Sequence, residues 1–284
     1  MSQTQTQPRL YDCPDHERIE QFIADHTEYF ESLVTPILGS TTLTGAQWYH
    51  TPVTYRGSPS KATWKYGIEL EIDFVRVTHN GGVCEWEDFS DRTAKIAKIT
   101  LVGRLKHFAS GGGGITLDDS LDRGWELVLP PLSRVMASSL AQYVYKHPFI
   151  YPYINHDSKA ALHITVDPFD TWLEQHAFHD FWNDGRLFDD FIGVIGREET
   201  GYIRQRKRKK TMRNKFMKAD DLKDHYNRCN VRGNGAMEVR VFKAVYNKEV
   251  INNQLEMVHC VNVAVRRGIY TYEDLKNYLQ TRGF

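Results

Sequence analysis

Along this chain, segments whose apolar residues recur every three to four positions alternate with segments where they recur every second one. Residues 15–38 place Ile19, Phe22, Ile23, Phe30, Leu33, Val34 and Ile37 at helical spacing, so the segment reads as an amphipathic helix with Pro36 as a point of kinking. In "YGIELEIDF" (66–74) the period is two. Ile68, Leu70, Ile72 and Phe74 fall on one face of a strand, and Glu69, Glu71 and Asp73 on the other. The design recurs three times. "GWELVLPP" sets Trp125, Leu127 and Leu129 against Glu126, and "AALHITVDP" sets Leu162, Ile164 and Val166 against His163, Thr165 and Asp167. "AMEVRVF" sets Met237, Val239 and Val241 against Glu238, Arg240 and Phe242.

The remaining pattern fills in the architecture. "AKIAKITLVG" (94–103) reads as a further strand. Pro130 and Pro131 read as the end of their strand and the entrance to a helix carrying Leu132, Val135, Met136, Leu140 and Val144. The aromatic-rich "FDTWLEQHAFHDFWND" (169–184) predicts a helix, as does "NKEVINNQLEMVHCVNVAVRRG" (247–268), stopped by Gly268, and a short helix is expected near 272–280. "NGG" (80–82) and "RGNG" (232–235) mark turns, and residues 39–63 read as a long loop. The expected fold class is α+β: a curved, mainly antiparallel sheet with helices on one face and an open acidic face opposite. A polar, disordered tail over 1–14 would precede a single domain over 15–284.

Charge narrows the function classes only locally. The 36 basic and 36 acidic side chains of the 284-residue chain cancel, so no whole-molecule field favours nucleic acid or membrane. Cys13, Cys84, Cys229 and Cys260 show no CxxC spacing and read as reduced thiols of a cytoplasmic protein. No signal-peptide pattern and no membrane-spanning apolar run is found, and no oligomeric state is implied.

The polar strand faces together offer Glu69, Glu71, Asp73, Glu126, His163, Asp167, Glu238 and Arg240, with no lysine among them. Carboxylates on one strand face repeat at roughly 6.5–7 Å, so they repel unless water or cations intervene. Any one strand reads as an ordinary solvated face. The set as a whole suits Mg²⁺ or Mn²⁺, which take carboxylate oxygens, better than zinc.

The segments "YGIELEI", "DDSLDRGWELVLPP", "ALHITVD", "HYNRCN" and "GAMEVRVF", in that order, resemble the amidoligase family, carboxylate–amine ligases related to glutamine synthetase and γ-glutamylcysteine synthetase. The resemblance covers residues 66 to about 265. It implies a glutamine-synthetase-like fold and an ATP-dependent ligase that joins a small-molecule or peptide carboxylate to an amine through an acyl phosphate. It further implies that Glu69, Glu71, Glu126, His163 and Glu238 hold Mg²⁺ (or Mn²⁺) around ATP, with Arg240 steadying phosphoryl oxygens. Asn230 ends the "HYNRCN" motif and is assigned to the nucleotide; Thr165 and Asp167 are assigned to substrate, and Asp73 to deprotonating the amine. Three positions depart from the family pattern: Thr165 replaces a histidine, and Ala161 and Asp119 replace glycines.

The basic run "RQRKRKK" (204–210) supplies Arg204, Arg206, Arg208 and Lys210. It reads as a solvated loop, as a phosphate-binding lid, or, less favoured because aromatic residues flank the run without interleaving, as a nucleic-acid patch. His176 and His179 share one helix without a third nitrogen or sulfur ligand and read as surface or aromatic-cluster histidines rather than metal ligands. The rivals to the ligase are thus a non-catalytic descendant of its fold and a nucleic-acid-binding protein using 204–218.

Overall fold

The computed structural model describes residues 11–12, 16–38, 65–79, 82–83, 86–108, 114–116, 121, 123–196, 228–232 and 235–284. The basic run, Cys13, Cys84, Asp119 and the loop expected over 39–63 lie outside them. Among the described residues the fold is α+β. Its strands form a six-stranded sheet in the order β5-β6-β2-β7-β9-β8, with β1, β3 and β4 in a separate three-stranded sheet. The ranges are β1 Tyr11–Asp12, β2 Tyr66–Asp73, β3 Val77–His79, β4 Gly82–Val83, β5 Gly114–Thr116, β6 Gly124–Leu132, β7 Ala161–Val166, β8 Cys229–Val231 and β9 Met237–Lys243. No helix among the described residues is long and apolar enough to cross a membrane.

The chain divides into two compact units. The first comprises Met1–Lys61, Leu70–Pro130 and Ser139–Ala160. Its helices include α1 (His16–Leu38), which runs through Pro36, and α2 (Trp86–Phe108). Here two expectations give way. Tyr11 and Asp12, read as part of a disordered tail, pair in parallel with Val77 and Thr78. Residues 94–103, read as a strand, belong to α2. The β-branched residues suggested a strand, but "AKIAKI" repeats every three residues, which keeps Ala94, Ala97 and Leu101 buried together on a helix. Thr93 fixes that helix to β6 by accepting a hydrogen bond from Trp125 Nε1 at 3.1 Å, while Phe74 meets Phe89 and Trp125 edge-on. Gly124 sits where a Cβ would lie 2.0 Å from the Ile72 carbonyl oxygen, so only glycine fits.

The second unit comprises Ala62–Glu69, Pro131–Ser138 and Ala161–Phe284. Helix α3 (Arg134–Tyr145) begins in it; α4 (Trp172–Trp182), α5 (Leu187–Ile195), α6 (Lys248–Arg266) and α7 (Tyr272–Gln280) lie within it. β6 runs through Pro130 and Pro131 to Leu132, so the prolines lie inside the strand rather than ending it. No element was expected over α5, where Leu187, Phe188, Phe191 and Ile195 are buried at helical spacing. α4 starts with a capping box: Thr171 Oγ1 accepts from the Glu174 N–H at 3.2 Å, and Glu174 Oε2 accepts from the Thr171 N–H at 3.0 Å. α6 starts at Asn247, whose side chain accepts from the Glu249 and Val250 N–H groups. It ends before Gly268, whose φ of +90° suits glycine.

Three antiparallel strands, β7, β9 and β8, carry the second unit's sheet. Leu162 opposes Phe242 while Ile164 opposes Val239, so β9 holds one extra residue there, a β-bulge. A one-residue insertion reverses the side-chain alternation beyond it. Phe242, expected on the polar face with Glu238 and Arg240, therefore turns into the core, where its ring lies 5.7 Å from Trp182.

Candidate metal and phosphate site

Five polar side chains of the second unit converge from different parts of its backbone. Glu69 comes from β2, His163 from β7, Glu238 and Arg240 from β9, and Arg232 from the residue after β8. The β9 register explains the convergence. Glu238 faces Thr165 on one side and Asn230 on the other, so these three share one sheet face. His163, two residues before Thr165, lies on that face as well.

The contacts are specific. His163 Nδ1 lies 3.5 Å from Glu69 Oε2 and 3.9 Å from Glu238 Oε1. Arg232 Nη2 donates to Glu69 Oε1 at 2.5 Å and, from the same nitrogen, to Glu238 Oε1. Arg240 Nη1 donates to Glu238 Oε2 at 3.4 Å. The Glu238 side chain is only 1% exposed, whereas that of Arg232 is 41% exposed. Burial works against charge on Arg232, but Glu69 and Glu238 outweigh it and hold the guanidinium above its ordinary pKa. Burial, and then the Glu238 carboxylate, push the neighbouring Cys229 thiol well up, so this cysteine stays protonated.

Asn230 adds a different kind of group. The residue is 6% exposed, and its Oδ1 is buried without a hydrogen-bond partner among the described residues. A buried amide oxygen on the residue opposite Glu238 in the ladder either costs stability or serves a ligand.

No protein-family model and no curated protein sequence matches the chain.

The remaining expected site residues distribute as follows. Glu71 and Asp73 belong to the first unit, on the polar face of β2; Glu71 is buried and Asp73 half-buried. Asp73 is engaged with the loop after the 3₁₀ turn Tyr151–Tyr153: its Oδ2 accepts from Asn155 Nδ2 at 3.3 Å and its carbonyl from the Asn155 N–H at 2.8 Å. Glu126 is half-buried on β6, opposite Thr116 in the ladder. Asp167 is exposed beyond the end of β7, and its carbonyl accepts from Arg266 Nη2 at 3.4 Å. Arg204, Arg206, Arg208 and Lys210 lie outside the described residues. His176 and His179 are buried on α4 rather than at the surface, and the His176 ring packs on Trp172 at 3.4 Å between centroids.

Arg232 is the residue the sequence reading passed over. It was seen only as the opening of the "RGNG" turn. β8 was read as part of a motif rather than as a strand, yet extending its period of two from Asn230 places Arg232 on the face of Glu238. The expectation that only His163 and Arg240 bring basic groups to the acidic faces is corrected accordingly.

The donor set fits a divalent cation. Two carboxylates, one imidazole and a buried amide oxygen are hard or borderline ligands, without thiolate among them. Two guanidiniums beside them fit phosphate oxygens, which a planar fork grips in pairs.

Proposed function

We propose that the protein is an ATP- and Mg²⁺-dependent carboxylate–amine ligase. The single observation that carries this reading is the meeting of Glu69, His163 and Glu238 with Arg232 and Arg240 on one sheltered sheet face. An acid-only surface would suit a solvated face. Acids interleaved with guanidiniums suit a metal–phosphate complex, which presents both signs of charge. The motif resemblance adds order and spacing to that argument, and it assigns metal-holding roles to Glu71 and Glu126 and the role of base to Asp73.

In the proposed reaction ATP phosphorylates a carboxylate, the amine attacks the acyl phosphate, and phosphate leaves as the amide forms. Mg²⁺, when bound, neutralises phosphate oxygens and templates them. Glu69, His163 and Glu238 would hold it, and Asn230 Oδ1 stands in the same register. Arg240 would bind phosphoryl oxygens and offset negative charge developing on them. Thr165, beside Glu238 on the ladder, faces the same space and is assigned to the acid or amine substrate. Asp73 keeps its assignment as the base that accepts the amine proton.

The test is nucleotide binding. Wild-type protein with Mg²⁺ and a non-hydrolysable ATP analogue should melt several degrees higher than with either alone. Glu69→Gln, at a partly exposed position, should weaken that binding at least about tenfold, the loss of one charge-assisted ligand, with circular dichroism unchanged. A wild-type protein whose melting ignores Mg²⁺ and nucleotide together would remove the ligase reading. It would favour a non-catalytic relative, for which the present observation is that Arg232 already neutralises the two carboxylates internally.

A further inference from the structure

We propose that Arg232 is an exchangeable occupant of the acidic site: it holds the Glu69 and Glu238 carboxylates together when no metal is bound, and a divalent cation displaces it from them. The proposal rests on the ligase reading only for the identity of the entering ion and of the phosphate that accompanies it.

Three observations carry it. First, a single atom, Nη2 of Arg232, serves Oε1 of both Glu69 and Glu238, so it stands between two carboxylates that a divalent cation would bridge. A guanidinium nitrogen and a cation cannot share that point. Second, the two partners differ in freedom. Glu238 is sealed within β9 at 1% exposure, while Arg232 is 41% exposed on the turn that follows β8. The turn closes through the Gly235 N–H to the Arg232 carbonyl at 2.9 Å, with Gly235 at φ +86°. The arginine stem can therefore swing outwards while strand and turn stay in place. Third, Asn230 Oδ1 is buried beside Glu238 with no partner among the described residues. Arg232 gives that oxygen nothing, although its remaining nitrogens are good donors. A metal ion at the carboxylates would use it.

Charge bookkeeping agrees. Glu69 and Glu238 bring two negative charges, and Arg232 and Arg240 bring two positive ones. Adding a divalent cation with both arginines in place would leave the group strongly positive, in shelter where that is costly. Releasing Arg232 reduces the excess. It also frees a guanidinium at the rim of the site for the phosphate oxygens that arrive with the metal. Arg232 is thus a positioning residue for the site at rest and a phosphate-binding residue once the metal has entered.

The experiment is titration of Mn²⁺ in the absence of nucleotide, with the free-ion electron paramagnetic resonance signal as readout. It compares the wild type with Arg232→Met, Arg232→Lys and Asn230→Ala. Removing a mutually exclusive occupant should tighten Mn²⁺ binding in Arg232→Met by about fivefold or more, the scale of a linkage between competing ligands. Arg232→Lys, which keeps the charge, should stay near the wild type, and Asn230→Ala should bind more weakly. In the wild type, Mn²⁺ should also raise the modification of Arg232 by phenylglyoxal, mapped by mass spectrometry, and this needs no variant to fold. Equal Mn²⁺ affinity in wild type and Arg232→Met, weaker binding in Arg232→Met, or no binding by either would overturn the exchange, even where Mg²⁺ and ATP bind the wild type together. Tighter binding in Arg232→Met with no response to ATP would uphold the exchange and sink the ligase.

Discussion

The second unit carries two charge networks built from the same residue types, and they behave differently because of where their acids sit. In one, Arg186 grips Asp184 with two nitrogens at 2.9 and 3.0 Å and also reaches Glu273. Beside it, Asp190 accepts from Tyr272 Oη at 2.7 Å and Lys276 Nζ at 2.6 Å. Arg186 lies over the Tyr272 ring at 4.1 Å. This network fastens α7 to α5 and to the turn before it. Arg186 and Glu273 are more than half exposed and the other members keep partial contact with water, so each pair contributes little beyond holding the helix in register. In the other network, Glu69, His163 and Glu238 are fixed by strands, and Glu238 has almost no access to solvent. Helix-borne acids on a surface can relax towards any counter-ion. Strand-borne acids under cover keep their spacing whether or not a cation is present, and that constancy is what a binding site requires.

The largest expected effect that separates the two is therefore at Glu238. Glu238→Gln keeps the shape but leaves Arg232 and Arg240 without their shared anion. Breaking a sealed pair in this way typically costs 3–5 kcal/mol. Both arginines reach solvent here, so a loss of about 2–3 kcal/mol is expected in urea unfolding. A cost below about 0.5 kcal/mol, typical of surface positions, would mean that Glu238 is no more constrained than the exposed acids and that the two networks are equivalent.

How much of this was legible in the sequence depends on the period involved. The alternation in "YGIELEID" gave the strand and its acidic face, and Ile68, Leu70 and Ile72 are indeed buried on the face opposite Glu69. α6 and α7 were legible from helical spacing, and α6 also from the glycine beyond its end. The convergence of Glu69, His163 and Glu238 was expected from like faces on separate strands, and the register of β9 places Glu238 between Thr165 and Asn230. Three things were hidden. Residues 94–103 combine β-branched side chains with a three-residue repeat, and packing against Trp125 decides for helix. The β9 bulge carries no glycine or proline to announce it, so the inward turn of Phe242 could not be read. Arg232 was hidden because β8 has three residues, too few for a period to show, and the basic partner of the acids sits just past its end.

A smaller effect is expected from Asp190→Asn in the helix-borne network, about 0.5–1 kcal/mol at neutral pH, as for pairs that keep partial contact with solvent. Its pH dependence carries more information than its size. The hydrogen bond from Lys276, then that from Tyr272, hold the Asp190 carboxyl below its ordinary pKa. A group depressed in the folded state stabilises at pH values above its unfolded pKa, about 3.9, and loses that contribution as pH falls through the lower folded value. The difference between wild type and Asp190→Asn should stay level from pH 7 to 5 and vanish at the acid end. A difference that grew on acidification would mean that Asp190 is not the charged partner of Lys276.

The smallest effect, and the most direct comparison, comes from salt. Raising ionic strength from about 0.1 to 1 M shortens the screening length from about 10 to 3 Å. Both the Asp190–Lys276 and Arg186–Glu273 pairs keep contact with solvent on both partners, so the cost of Asp190→Asn should shrink by a few tenths of a kcal/mol, much of its value. Around Glu238 the strand backbone and neighbouring side chains keep ions away on the carboxylate side, and only Arg232 and Arg240 are open to them. The cost of Glu238→Gln should therefore change little over the same range. If unfolding curves at both ionic strengths showed the two substitutions losing the same fraction of their effect, water and ions would reach Glu238 as easily as Asp190. The sheltered face would then be a surface like any other, and the case for it as a cation site would lose its physical basis.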